Sequence, residues 1–118
     1  MNSRKENLEA FNRLLDILDE LREKCPWDRE QTNESLRANT IEETYELSEA
    51  LLSNDSDEIK KELGDLLLHI AFYAKIGEEK KEFDIGDVCN AISDKLVFRH
   101  PHVFGDSKAD SPEMVEQS

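Results

Sequence analysis

Apolar residues recur at helical spacing through most of the chain, and nowhere do they alternate as they would along a strand. Leu8, Phe11, Leu14, Leu15, Leu18 and Leu21 mark the core face of a helix from about Arg4 to Lys24. Pro26 ends it, because proline disfavours helical geometry in the residue before it. A second predicted helix runs from about Thr40 to Ser53 and a third from about Asp57 to Gly77, where the glycine suits a C-cap. SNDSD, Ser53 to Asp57, is a turn of residues that bond their own backbone, and so short a link makes its two helices antiparallel neighbours. A fourth helix opens at Asp84, an N-cap with Asp87 three residues on, and Ile85, Val88, Cys89, Ile92 and Leu96 mark its buried face. The expected fold is all-α, a bundle of four to five helices.

The second and third helices carry the candidate chemistry. On a wheel of about 100° per residue, Glu42, Glu46 and Glu49 fall together with Glu43 at their margin, opposite Ile41, Tyr45, Leu47, Leu51 and Leu52. Alone, this is the solvated face of an amphipathic helix, and TIEE from Thr40 to Glu43 also fits a capping box. The third helix differs. In LGDLLLHIAFYA apolar residues occupy every side, the pattern of a helix buried all round, and Glu62, Asp65 and His69 sit among Leu66, Phe72, Tyr73 and Ile76.

A buried carboxylate must be protonated, paired or bound to metal. Lys60 and Lys61 can pair with only part of the set, so opposed acidic faces would call for a divalent cation. An oxygen-only ligand set favours Mg²⁺ or Mn²⁺ over zinc. Glu43 and Glu46, like Glu62 and Asp65, are three apart, a rise of roughly 4.5 Å that lets two side chains share one ion or bridge two. A ferritin-like di-iron site would want Glu-x-x-His on two helices. This chain has Glu-x-x-Glu and Glu-x-x-Asp, with His69 four residues past Asp65, which points to hydrolytic or phosphoryl chemistry. His69 itself reads as a core histidine.

Composition narrows the partners. The chain has 118 residues, enough for one domain at most, yet only 37% are hydrophobic and 36% charged, so a single copy has a thin core and self-association is expected. A net charge of −13 without a basic stripe excludes a nucleic-acid-binding surface, while bound metal still allows an anionic substrate. Cys25 and Cys89 are too few for a disulfide framework, which suits a reducing cytoplasm, and no apolar run reaches membrane length.

Further residues have candidate roles. Trp27, the one tryptophan, follows Pro26 in a loop or short turn and reads equally as packing or as a stacking platform for a base. Asp28, Gln31 and Asn33 read as capping and turn residues, and Thr32 or Ser35 as the start of a short helix. Lys95 and Arg99 share one side of the fourth helix near its C-terminus, where they complement the dipole or hold phosphate oxygens. FRHPHVFGD follows, and residues 107–118 read as a polar, mobile tail after a domain of residues 1–106.

KCPWDREQT, IEETYELSEAL, KELGDLLLHIAFYA and KLVFRHPHVFGD resemble, in order, the signature blocks of the MazG nucleoside triphosphate pyrophosphohydrolases. The resemblance runs from about Leu14 to Asp106. It implies a MazG-like bundle completed by forming homodimers or homotetramers, and Mg²⁺-dependent hydrolysis of nucleoside triphosphates to NMP and pyrophosphate, with standard or damaged nucleotides as substrates. It implies that Glu43, Glu46, Glu62 and Asp65 are metal ligands, that Glu42 holds or deprotonates the attacking water, that Lys95 and Arg99 contact phosphates, and that Trp27 lies by the base pocket. The chain departs from the family pattern at Asn33, where His is usual, and at Phe98, where a second Arg is usual. Tandem members carry two such domains, and this chain resembles the first. The alternative expectation is therefore a regulatory domain that binds nucleotide or a partner without turnover, and a third is an acidic interaction module without metal.

Overall fold

The structure, a computed structural model, describes residues 1–106 and 111–113. Most of the segment expected to be a mobile tail lies outside the described residues. Among those described there are six helices and no strand, as the periodicity predicted: α1 Arg4–Lys24, α2 Pro26–Glu30, α3 Asn33–Ser53, α4 Ser56–Glu79, α5 Ile85–Arg99 and α6 Pro101–Phe104. The four long ones are those expected. The two short ones each begin at a proline, whose fixed φ suits the first helical position.

Leu18 of α1, Leu36 of α3 and Ala71, Phe72 and Ile76 of α4 form the core, with Leu15 and Tyr73 packed against it. Large apolar side chains buried in this way contribute about 1.5–3 kcal/mol each. Of the expected core face of α1 only Leu18 is fully buried, and Leu8 and Leu21 are exposed.

Arg22 ties α1 to the turn that follows. Its guanidinium donates to the carbonyls of Asp28 at 2.7 Å, Arg29 at 3.2 Å and Gln31 at 2.8 Å, pairs with Glu79 of α4 at 2.8 Å, and stacks 5.5 Å from the centre of the Phe72 ring. A planar fork with five donors is suited to gathering so many acceptors. The pair holds the Arg22 pKa above its ordinary value and the Glu79 pKa below its own. Trp27 accordingly stands on a helical turn rather than in an open loop.

Three boundaries differ from the expected ones. α3 starts at Asn33, because Thr32 and Ser35 form a capping box, so Thr40 lies inside the helix and TIEE caps nothing. The Thr40 hydroxyl instead bonds back to the Leu36 carbonyl at 3.0 Å. α4 runs through Gly77 to Glu79 and is capped at Lys80. Gly77 is needed because a Cβ there would lie 2.7 Å from the Phe83 ring. The α3–α4 turn needs only Asn54, left-handed at φ 58°, and Asp55, which accepts from the amides of Asp57 and Glu58.

α5 opens at Asp84, whose capping box with Asp87 is complete, but its expected buried face is uncovered. Only Ile85 is half-buried; residues 86–99 are all exposed, Val88, Ile92 and Leu96 among them. The same holds for the outer side of α4, where Leu63, Leu67, Leu68 and Ile70 are exposed, so the helix is not buried all round within one copy. The radius of gyration, 17.7 Å, exceeds the roughly 13.5 Å of a compact chain of this length. Both cysteines are free, and among the described residues no helix is long and apolar enough to cross a membrane.

Candidate metal centre

The inner face of α3 is Leu36, Thr40, Glu43, Leu47 and Ala50, at alternating four- and three-residue steps. These positions keep one side of a helix against its neighbour. Glu43, at the margin of the acidic face on the wheel, is thus the acid that points inward, while Glu42 and Glu46 are exposed. Ile41, Tyr45, Leu51 and Leu52, expected opposite the acids, are exposed too.

Glu43 meets Glu62 and Asp65 of α4 with one carboxylate oxygen from each within 4.8 Å of the others. Glu62 is 6% exposed, and Glu43 and Asp65 are half-buried. Glu43 Oε2 and Glu62 Oε2 are buried without a hydrogen-bond partner. Burial first, and then the charges of Asp65 and Glu62, push the Glu43 pKa above its ordinary value, with Glu46 opposing in part. Lys61 Nζ stands 3.6 Å from Glu62 Oε1, and that carboxylate raises the lysine pKa. This ammonium is exposed, and such pairs are weak.

A hard divalent cation fits this group. Three converging carboxylates with two orphaned oxygens, and one screened lysine against them, lack the positive charge that their burial demands. Glu46, three residues along α3 from Glu43, lines an open cleft of about 510 Å³ with Glu49, Glu58, Glu62 and Tyr45. Glu42 acts on Glu43 through its charge alone.

Behind the acids lies a polar network that periodicity did not reveal. The Thr40 hydroxyl contacts His69 Nδ1 at 2.6 Å and the Tyr73 hydroxyl, and the two rings meet edge to face at 6.3 Å. Burial lowers the His69 pKa, with Asp65 opposing in part. His69 is not among the three converging ligands, in keeping with its reading as a core histidine. Thr40 reads in the sequence as a helix cap, and Tyr73 and Arg22 each look ordinary on their own helix.

Of the other candidates, Trp27 is 61% exposed and borders a cavity of about 40 Å³ with Asp28, Leu36, Leu68, His69 and Phe72. Lys95 and Arg99 are exposed on α5, and among the described residues neither forms an ion pair with the carboxylates.

The fold and site together define an all-α bundle protein with a carboxylate centre of the kind that takes a hard cation. The family model for the MazG nucleotide pyrophosphohydrolase domain matches residues 31–104, which include every candidate site residue except Trp27. The chain belongs to this family. It is 47% identical over 111 residues to the nucleoside triphosphate pyrophosphohydrolase of Escherichia coli K12, covering 92% of this chain and 42% of that protein. It is 50% identical over 99 residues to the nucleoside triphosphate pyrophosphohydrolase/pyrophosphatase MazG of Thermotoga maritima, covering 82% of this chain and 39% of that protein. The crystal structure of a mazG-related protein from Thermotoga maritima superposes with a TM-score of 0.76 at 28% identity, over 90% of this chain and 92% of that one. The chain thus spans about two fifths of the length of these curated relatives.

Proposed function

We propose that residues 1–106 form a domain that hydrolyses nucleoside triphosphates, standard or damaged, between the α and β phosphates, giving NMP and pyrophosphate in the cytoplasm. The observation that carries this reading is the trio Glu43, Glu62 and Asp65, with two orphaned oxygens in a chain of this family. These residues, with Glu46 beside them, would hold Mg²⁺, or Mn²⁺ in its place. When bound, it would neutralise triphosphate charge and lower the pKa of a coordinated water.

The chain's own groups do the rest. Glu42, exposed next to Glu43, holds or deprotonates the attacking water. The water oxygen bonds to the α-phosphorus, the bridging bond to the β-phosphate oxygen breaks, and pyrophosphate leaves with the electron pair. Lys95 and Arg99 stabilise charge on the departing phosphates, and Trp27 lies against the base.

In one copy both cations are exposed and, among the described residues, pair with none of the acids, and the apolar stripe of α5 is bare. A second copy, in a homodimer or homotetramer, covers the stripes of α4 and α5. The lack of an ion pair between these cations and the acids favours a second reading, a domain that binds nucleotide without turnover. Ion-exchange analysis of products from a panel of NTPs and dNTPs, with Mg²⁺ and with EDTA, separates the two. NMP and pyrophosphate formed only with metal supports hydrolysis; tight nucleotide binding with no product supports the second reading.

A further inference from the structure

Thr40 determines the state of His69. Its hydroxyl faces the Leu36 carbonyl, His69 Nδ1 and the Tyr73 hydroxyl, and a hydroxyl has one proton and two lone pairs. The carbonyl can only accept, so it takes the Thr40 proton. His69 Nδ1 and Tyr73 must then both donate to Thr40 Oγ1, the one assignment that satisfies all three contacts. His69, 8% exposed, therefore holds its hydrogen on Nδ1 and keeps Nε2 as a bare lone pair. Among the described residues no group donates to Nε2.

The same ring walls the cavity of about 40 Å³ beside Trp27, otherwise lined by Leu36, Leu68, Phe72 and Asp28. That volume admits a water or one protruding group. We propose that this cavity reads the nucleobase edge: a base stacked on Trp27 inserts an exocyclic amino group, and His69 Nε2 accepts its hydrogen. A keto oxygen in that place would set lone pair against lone pair, so amino bases are selected over keto bases. This rests on the proposed nucleotide substrate.

The test compares kcat/KM for ATP against ITP and for CTP against UTP, which exchange an amino for a keto group. The amino member is favoured in at least one pair, by about three- to ten-fold, the span of one hydrogen bond. Thr40→Val deprives Nδ1–H of its acceptor and frees the hydrogen to move to Nε2, so the ratio falls to one or inverts; His69→Leu also abolishes it, and Thr40→Ser preserves it. A merely structural role would lower both members equally and leave the ratio intact. No preference in the wild type, or a ratio that survives both Thr40→Val and His69→Leu, overturns the proposal. Should those two fail to fold by circular dichroism, the wild-type and Thr40→Ser ratios decide it. If no nucleotide is turned over, the hydrolytic reading fails, and dissociation constants for the same pairs by calorimetry take the place of kcat/KM. A preference there supports the cavity's role; equal constants mean that it holds only water, and overturn it.

Discussion

α4 and α5 both carry apolar residues that call for cover, and they stand in opposite environments. Each has apolar residues at helical spacing, yet α4 packs one side against α1 and α3, burying Ala71, Phe72 and Ile76 beside Glu62 and His69. α5 leaves Val88, Ile92 and Leu96 in the open, although its capping box is complete. A cap and a stripe make a helix and show which side seeks cover. They do not say whether the cover comes from the same chain.

The comparison breaks most sharply at the carboxylates. Glu43→Gln and Asp65→Asn should each lower turnover by about a hundred- to a thousand-fold while leaving the helical circular dichroism unchanged. Normal activity in both would remove the centre from the mechanism. A smaller effect is expected where α2 is tied to α4: Arg22→Ala should cost about 2–3 kcal/mol in urea unfolding, since it leaves three carbonyls and Glu79 without their charged donor. A loss below half of that would mean that water replaces the guanidinium at little cost.

Metal should act on the α4 side alone. Mg²⁺ at about a hundred times its Kd should stabilise the protein by about 2.7 kcal/mol, and Glu62→Gln should abolish that gain. A thermal shift that persists in Glu62→Gln would place the ion elsewhere. On α5, Ile92→Asp combined with Leu96→Asp should halve or quarter the mass seen by light scattering, with the carboxylate centre intact. An unchanged mass would leave that stripe without a second copy.

The smallest effect concerns acid. The folded-state pKa of Glu79 is lowered, so the stability it contributes is complete above about 4.5 and is lost as pH falls through the lowered value. Glu79→Gln should flatten that limb of the stability profile in thermal melts; an identical limb would assign acid sensitivity to other groups.

The sequence by itself determined the four long helices, the Asp84 cap, the tight α3–α4 turn and the presence of acids on facing helices, since these follow from local capping and a period of about 3.6 residues. It misplaced Gly77 and the start of α3, because a ring in van der Waals contact and a competing cap upstream both lie outside the local pattern. Which acid turns inward was decided by tertiary structure: packing of α3 on α4 rotated Glu43 from the margin to the centre, a shift of a few tens of degrees that a wheel does not resolve. Thr40, His69 and Tyr73 likewise became a network only when two helices met, since a buried hydroxyl takes its partners from whatever the fold brings within about 3 Å.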